Sequence, residues 1–271
     1  MVYNSIHKTY PIRSLFIMKD TSFLDIQHFS KLIDQNELFS QYMNSELPDR
    51  YDSNFMLLHF NPILEEFLLI ENIQRNHQID SNQQHLKFKW PENIGIHLDL
   101  LNYLNHEEYK LGKEELMVVS PNQLHIENYN QEVTFEVVAD YNLEDFLLLN
   151  YNEDKINGEK IADYFQSFYP FLFNQKNTKF LLAKLGDQPV ASLILHGSKN
   201  FIEIDHVLTD GKHRNKGIAS GMIQYVMDEL NEKQKPLILV ADTEDSPKLL
   251  YEKVGFKVVS SQISIIKERL D

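Results

Sequence analysis

The chain contains no cysteine. That absence removes disulfide scaffolds, thiolate metal sites and cysteine nucleophiles together. No run reaches the roughly eighteen apolar residues that a bilayer crossing needs. The first ten residues, Met1–Tyr10, lack the apolar centre of a secretory signal. A soluble, cytoplasmic protein is expected. Positive charge is scarce: 26 Lys and Arg stand against 40 Asp and Glu, a formal net charge of −14. Such a surface repels phosphate backbones and anionic lipid, so neither nucleic-acid nor membrane-surface binding is expected. The 11 histidines are scattered, with no H-E-x-x-H pair and no clustered ligand spacing, so no metal is expected. Glycine is rare as well. Of 9 glycines only Gly95 and Gly112 precede residue 150, so the two halves support different numbers of special backbone positions.

What is present is enough apolar material for a packed core: 42% of 271 residues, sized for one large domain or two modest ones. In the first half, Pro11–Met18, Asn54–Phe60, Phe67–Ile73 and His85–Trp90 read as strands. Thr21–Met43 reads as a helix, with Phe23, Ile26, Phe29, Leu32 and Ile33 near one face. Ile94–Leu104 reads as a second helix and Glu115–Val119 as a strand. The polar stretch Ser120–Gln131 marks a boundary between domains at 1–130 and 131–271.

The second half reads as Val133–Ala139 (strand), Asn142–Asn150 and Gly158–Phe173 (helices), then three strands, Lys179–Lys184, Val190–His196 and Phe201–Leu208. A helix over Lys216–Leu230, a strand over Leu237–Ala241, a short helix over Pro247–Val254 and a last strand over Phe256–Ile266 complete it. The expected class is α/β: a mixed sheet with helices on its faces. Leu104–Val119 and Leu250–Ile266 share one pattern of helix end, turn and apolar strand. Duplication of one fold and chance both account for that echo.

The stretch FIEIDHVLTDGKHRNKGIASGMIQYVMDEL, Phe201–Leu230, is a strand that delivers a helix N-terminus. The first four amides of a helix have no internal partner and carry partial positive charge. Lys212, His213, Arg214 and Lys216 add positive side chains, and Gly217 permits close approach to the backbone. These features suit a phosphate or pyrophosphate. They also suit a plain capped helix with a solvated basic turn. Neither a P-loop string nor G-x-G-x-x-G occurs.

Arg214-Asn215-Lys216-Gly217-Ile218-Ala219 resembles the acyl-CoA signature Arg/Gln-x-x-Gly-x-Gly/Ala of the GNAT N-acetyltransferase superfamily. Downstream, Leu237–Phe256 (LILVADTEDSPKLLYEKVGF) is similar to the family's next strand, helix and turn. Ser246 suits the N-cap, Pro247 the first helical position and Gly255 the C-terminal turn. Glu244 departs from the asparagine that many members carry there. The resemblance spans about Val133–Ile266. The first half has no matching signature, which implies at most a degenerate second copy without acyl-CoA binding.

The resemblance implies acetyl-CoA as co-substrate and transfer to a primary amine of a small molecule or peptide, directly, in a ternary complex. A sensor that only binds CoA and a transferase of another acyl group stay open. Backbone groups of Val207, Leu208 and Thr209 would pair with the pantetheine arm. The amides of Asn215, Lys216, Gly217, Ile218, Ala219 and Ser220 would hold the pyrophosphate, with Arg214 and Lys216 adding charge. Tyr251 would protonate the leaving thiolate, or else only pack its ring. Glu203 and Asp205 share a strand face by period-two alternation. Glu203 lies where several members place a base; both are alternatively surface charges. Val207 N–H would serve the oxyanion. His206 is expected on the opposite face, as a structural residue. The aromatic run Tyr164–Phe173 is either core or the wall of an acceptor pocket.

Overall fold

The computed structural model describes residues 21–243 and 247–269. Pro11–Met18, Glu244 and Ser246 lie outside the described residues. The strands and helices follow in chain order. The first half contains β1 (Lys31–Gln35), β2 (Phe39–Met43), β3 (Phe55–Leu58), α1 (Leu64–Asp80), β4 (Leu86–Lys89), α2 (Leu98–His106) and β5 (Lys110–Val119). The second half contains β6 (Val133–Val137), α3 (Leu143–Asp154), α4 (Glu159–Phe173), β7 (Thr178–Leu185), β8 (Gln188–Gly197) and β9 (Ile202–Thr209). It ends with α5 (Ile218–Tyr225), β10 (Leu237–Asp242), α6 (Pro247–Lys253) and β11 (Lys257–Lys267).

The second half follows its sequence pattern closely. Two expectations for the first half are corrected. Thr21–Met43 is not a helix. It holds a short 3-10 turn at Phe23–Asp25, closed by Ser22 and Asp25, an extended run, and then the β1–β2 hairpin. Asn36 turns that hairpin, its side chain accepting from the amides of Leu38 (2.8 Å) and Phe39 (3.1 Å). A local asparagine turn of this kind overrides apolar spacing by three. Phe67–Ile73 is not a strand but the middle of the 17-residue helix α1. Glu66 caps that helix by accepting from Ile63 N–H at 3.0 Å. Its buried face recurs at Phe67, Ile70, Gln74 and Gln78, whereas a short apolar run alone reads equally as strand or helix.

All strands join one 11-stranded sheet in the order β1-β2-β3-β4-β11-β5-β10-β9-β8-β7-β6. The order exposes a duplication. In each half an antiparallel hairpin leads to a strand, a helix crosses to a parallel strand, and a second helix leads to a long last strand. Thus β3-α1-β4-α2-β5 repeats as β9-α5-β10-α6-β11. The last strands are exchanged: β11 pairs with β4 of the first half, β5 pairs with β10 of the second, and the two pair with each other from Lys257–Val118 to Ile266–Lys110.

Side-chain alternation sorts the core. On one face Met117, Leu181, Leu193, Leu237 and Leu239 meet Met222 of α5 and Val254 beside α6. On the other, Phe180, Leu182 and Ile194 meet Phe146 of α3 and Phe168 and Tyr169 of α4. Phe23 covers Leu116, Val118, Phe201 and Ile238 on that same second face. The first half has its own core around α1. Trp90, fully buried, packs on Phe67 and donates its indole N–H to Asn61 Oδ1 at 3.0 Å.

Candidate functional site

β9 and β10 are neighbours only at their starts, through Leu237–Ile202 and Ile238–Glu203. β10 then follows β5 as far as Asp242. From Ile204 onward the β9 edge therefore faces a gap. Beyond that edge, Asp210 closes the turn by accepting from Lys212 N–H (3.3 Å) and pairing with His213 Nδ1 (2.6 Å). Asn215 (φ 61°) and Gly217 (φ 74°) then take left-handed backbone. The first hydrogen bond of α5 runs from Gly221 N–H to Gly217 O at 3.0 Å. Among the described residues the chain offers no acceptor to the amides of Lys216 through Ser220. They form a cationic nest at a helix start. Glycine is favoured at 217 twice over, by its φ and by Tyr129 Cα, which stands 3.2 Å from where a Cβ would sit.

These elements enclose a cleft of about 680 Å³ lined by Val207, Leu208, Thr209, Arg214, Asn215, Gly217, Ile218, Ala219, Ser220 and Tyr251. An outer recess of about 780 Å³ shares Asn215, Gly217 and Ser220 with it and adds Lys216, Lys253 and the segment His125–Asn130. Both volumes fall in the range of ligand pockets, about 300–1,000 Å³. The cleft thus gathers nearly every expected cofactor residue, with Lys216 on its outer side. Arg214 is already engaged: Nη2 donates to Glu153 Oε2 at 2.8 Å and Nε to Thr209 O at 3.0 Å. The uncommitted positive charge at this helix start therefore lies with the amides and Lys216 more than with Arg214.

Tyr251 is presented by α6, whose end is a glycine-dependent turn. Phe256 N–H donates to Tyr251 O (3.0 Å) and Gly255 N–H to Glu252 O (3.1 Å). Gly255 has φ 111°, and a Cβ there would lie 2.4 Å from Gln123 O. His125 N–H also donates to Val254 O at 3.1 Å, so the polar linker clamps this turn. Gly255→Ala is expected to destabilise the protein by about 1–3 kcal/mol, read as a lower urea midpoint with an unchanged slope.

Glu203 and Asp205 lie outside the cleft lining, on the far side of His206. The expectation for His206 is corrected by a β-bulge. Ser192 pairs with Leu208 and Ile194 with Asp205, so His206 and Val207 together oppose Leu193. His206 takes φ 48°. The extra residue turns its ring to the same side as Asp205, against α4, and into the cleft. His206 Nε2 lies 2.7 Å from Tyr169 OH, which donates to Asp154 Oδ2 at 3.0 Å. His206 and Asp154 both line the cleft. Burial pushes the Asp154 carboxyl and the Tyr169 phenol upward.

The two carboxylates of β9 have opposite electrostatics. Glu203 keeps 7% of its surface. Burial, and then the charge of Asp205, push it up to about 8. Its Oε2 accepts from Gln27 N–H at 2.8 Å. Partial desolvation alone would raise Asp205. His196 Nε2 at 3.3 Å, with the charges of His206 and Arg50, holds it instead at about 2. Its Oδ1 accepts from His206 N–H at 2.8 Å. Asp205 is thus a fixed charge, and Glu203 is a group that can exchange a proton near neutral pH.

Asp205 keeps 40% of its side chain accessible although β9 is an interior strand of the sheet. A chamber therefore opens above it. Next to it, through His196, stands Phe29 of the first half, which in turn contacts Phe168 and Phe171 of α4 and the guanidinium of Arg50. Sequence reasoning missed Phe29, Arg50, His196 and Asp154 as neighbours of the site, whereas Tyr169 falls in the aromatic run Tyr164–Phe173. Arg50 and Phe29 carry no local signal of this placement, because their partners on α4 and β8 are more than a hundred residues away in the chain. His206 had one: a histidine between acidic and β-branched residues on the strand that carries the site.

Residues 137–264 match the family described as acetyltransferase (GNAT) domain, and residues 21–117 match a domain of unknown function, DUF5613. No curated protein matches. Among solved structures, a functionally unknown conserved protein from Staphylococcus epidermidis is similar over 93% of this chain and 100% of its own, at 24% identity and a TM-score of 0.86. A GCN5-related N-acetyltransferase from Kribbella flavida is similar over 88% and 89% of the two chains, at 14% identity and a TM-score of 0.61. A tandem GNAT protein from the clavulanic acid biosynthesis pathway is similar over 85% and 78%, at 7% identity and a TM-score of 0.51. At these identities the likeness is one of fold, and with the tandem protein it agrees with the duplicated topology. No helix among the described residues is long and apolar enough to cross a membrane. With the splayed strands and the α5 nest, the match identifies residues 137–264 as a GNAT acetyltransferase domain, fused to an N-terminal DUF5613 domain.

Proposed function

We propose that the protein is an acetyl-CoA-dependent N-acetyltransferase that acts on a primary amine of a small molecule or peptide. The observation that carries this reading is the row of unpartnered amides from Lys216 to Ser220, beside the β9 edge that β10 leaves uncovered. That edge suits a pantetheine arm added as a strand, and the nest suits a pyrophosphate. Val207, Leu208 and Thr209 supply the edge. Val207 sits at the β9 bulge beside the gap, and its N–H serves the oxyanion on this reading. Acetyl-CoA as donor places the reaction in the cytoplasm.

In the proposed transfer the amine nitrogen bonds to the acetyl carbonyl carbon and the carbon–sulfur bond breaks. Asp205 draws the acceptor ammonium toward the chamber. Glu203 takes its proton through water, and its second oxygen makes no hydrogen bond within the described residues. Tyr251 gives a proton to the departing thiolate. Tyr251→Phe is expected to lower kcat by about 10²-fold or less while acetyl-CoA binding is kept; an unaltered rate would leave Tyr251 a packing residue. The direct test mixes protein, acetyl-CoA and a panel of amines and follows thiol release. Acetyl-CoA binding without release from any amine would sink the transferase reading in favour of a sensor. A larger thermal shift with longer acyl chains would displace acetyl as the group transferred.

A further inference from the structure

The chamber above Asp205 holds two opposite charges linked through two rings, Phe29 and His196. Arg50 lies over the faces of Phe168 (4.5 Å) and Phe29 (5.3 Å). Phe29 in turn meets His196 edge-on at 5.2 Å, and His196 reaches Asp205 at 3.3 Å. Among the described residues no carboxylate lies within ion-pair distance of Arg50; its recorded side-chain bond is Nη1 to Ser53 Oγ at 3.3 Å. Other cations of the chain are already engaged. Lys87 and Lys89 lie 2.5 and 3.6 Å from Asp52. Arg75 and Arg214 are each on a glutamate. A guanidinium stacked on rings keeps its N–H edge open and pre-oriented, the geometry that grips a carboxylate with two parallel bonds.

Phe29 adds an independent observation. It holds φ 55°, a left-handed backbone that is rare and costly for a bulky side chain. Its neighbourhood enforces it. Asn44 Nδ2 donates to Phe29 O at 2.6 Å, Ser53 Oγ to His28 O at 2.7 Å, and Gln27 N–H to Glu203. Strain maintained from three sides, at the point where the first half meets the β9 carboxylates, marks a positioned surface.

We infer that Arg50 and Phe29 of the first half, together with Asp205, form the acceptor-recognition site, and that it takes an amine bearing a carboxylate on a short tether: a small amino acid. The carboxylate docks on Arg50, the ring of Phe29 lies along the tether, and the ammonium faces Asp205. This inference rests on the transferase reading for its chemistry, and its test separates the two.

Wild type, Arg50→Met and Arg50→Lys are assayed by thiol release with acetyl-CoA and matched acceptor pairs: β-alanine with ethylamine, 5-aminopentanoate with butylamine, and phenylalanine with phenethylamine. Thermal shift with acetyl-CoA alone is recorded for each variant, to show that the fold and donor site persist. The expected result is a kcat/KM preference of at least tenfold for the carboxylate member of one or more pairs in wild type. That preference collapses toward unity in Arg50→Met and is partly kept in Arg50→Lys. No preference in wild type, or a preference that survives Arg50→Met, overturns the inference and leaves the transferase standing. If no amine releases thiol although acetyl-CoA binds, the transferase reading fails. Arg50 is then judged by binding: an amino-acid thermal shift present in wild type and lost in Arg50→Met supports the site, and its absence in wild type refutes it.

Discussion

Glu203→Gln is expected to lower kcat by about 10²–10³-fold, within the range for loss of a general base. The same change should make the protein more stable at alkaline pH. Both effects follow from burial. Glu203 is held at about 8, whereas an unfolded glutamate titrates near 4.3. The folded state therefore binds this proton more tightly than the unfolded one. Its contribution to stability is fully present below about pH 4.3 and is lost as pH rises through about 8. Glutamine accepts the Gln27 amide through its oxygen and carries no such titration. The variant's Tm should match wild type near pH 5 and exceed it by a growing margin up to pH 9. In activity, wild-type kcat/KM should rise with pH through about 8, and the variant should lack that limb. A variant with the wild-type pH profile would remove Glu203 from the chemistry and pass the role of base to His206.

Ala219→Glu should abolish acetyl-CoA binding and leave the fold intact. Ala219 lines the cleft in the first turn of α5. A carboxylate there points like charge at a bound pyrophosphate, in a site whose attraction comes from unpartnered amides. The same carboxylate interacts favourably with the helix dipole when no ligand is bound, by about 0.3–1 kcal/mol. The unliganded variant should therefore melt at or slightly above the wild-type temperature. Its thermal shift with acetyl-CoA should vanish, with affinity down at least about 10²-fold, or about 2.8 kcal/mol. This position tests the cradle more cleanly than Gly217, where any side chain also meets left-handed backbone and Tyr129. A normal shift in the variant would mean that the nest is not where the donor binds.

The cradle was legible in the sequence because it is local. Arg214 to Ser220, the following helix and Gly255 all act within a few residues of themselves. The pairing of Glu203 with Asp205 was legible too, since alternation holds up to the bulge. His206 was misplaced because one extra residue resets alternation, and nothing in the string IEIDHVLT announces it. The chamber was illegible for a different reason. Gln27 bonds to Glu203 across a separation of 176 residues, and Arg50 meets Phe168 across more than a hundred. The sequence echo between Leu104–Val119 and Leu250–Ile266 was visible, but not that each strand is built into the other half.

That exchange binds the fate of the two halves. With β11 lying between β4 and β5, and β5 between β11 and β10, each half carries away a strand that its sibling needs when it leaves. A lineage that shed the segment without a signature would also have torn open the sheet beside the working cleft. The first half is therefore held in place by the sheet it completes, whatever its own surface does.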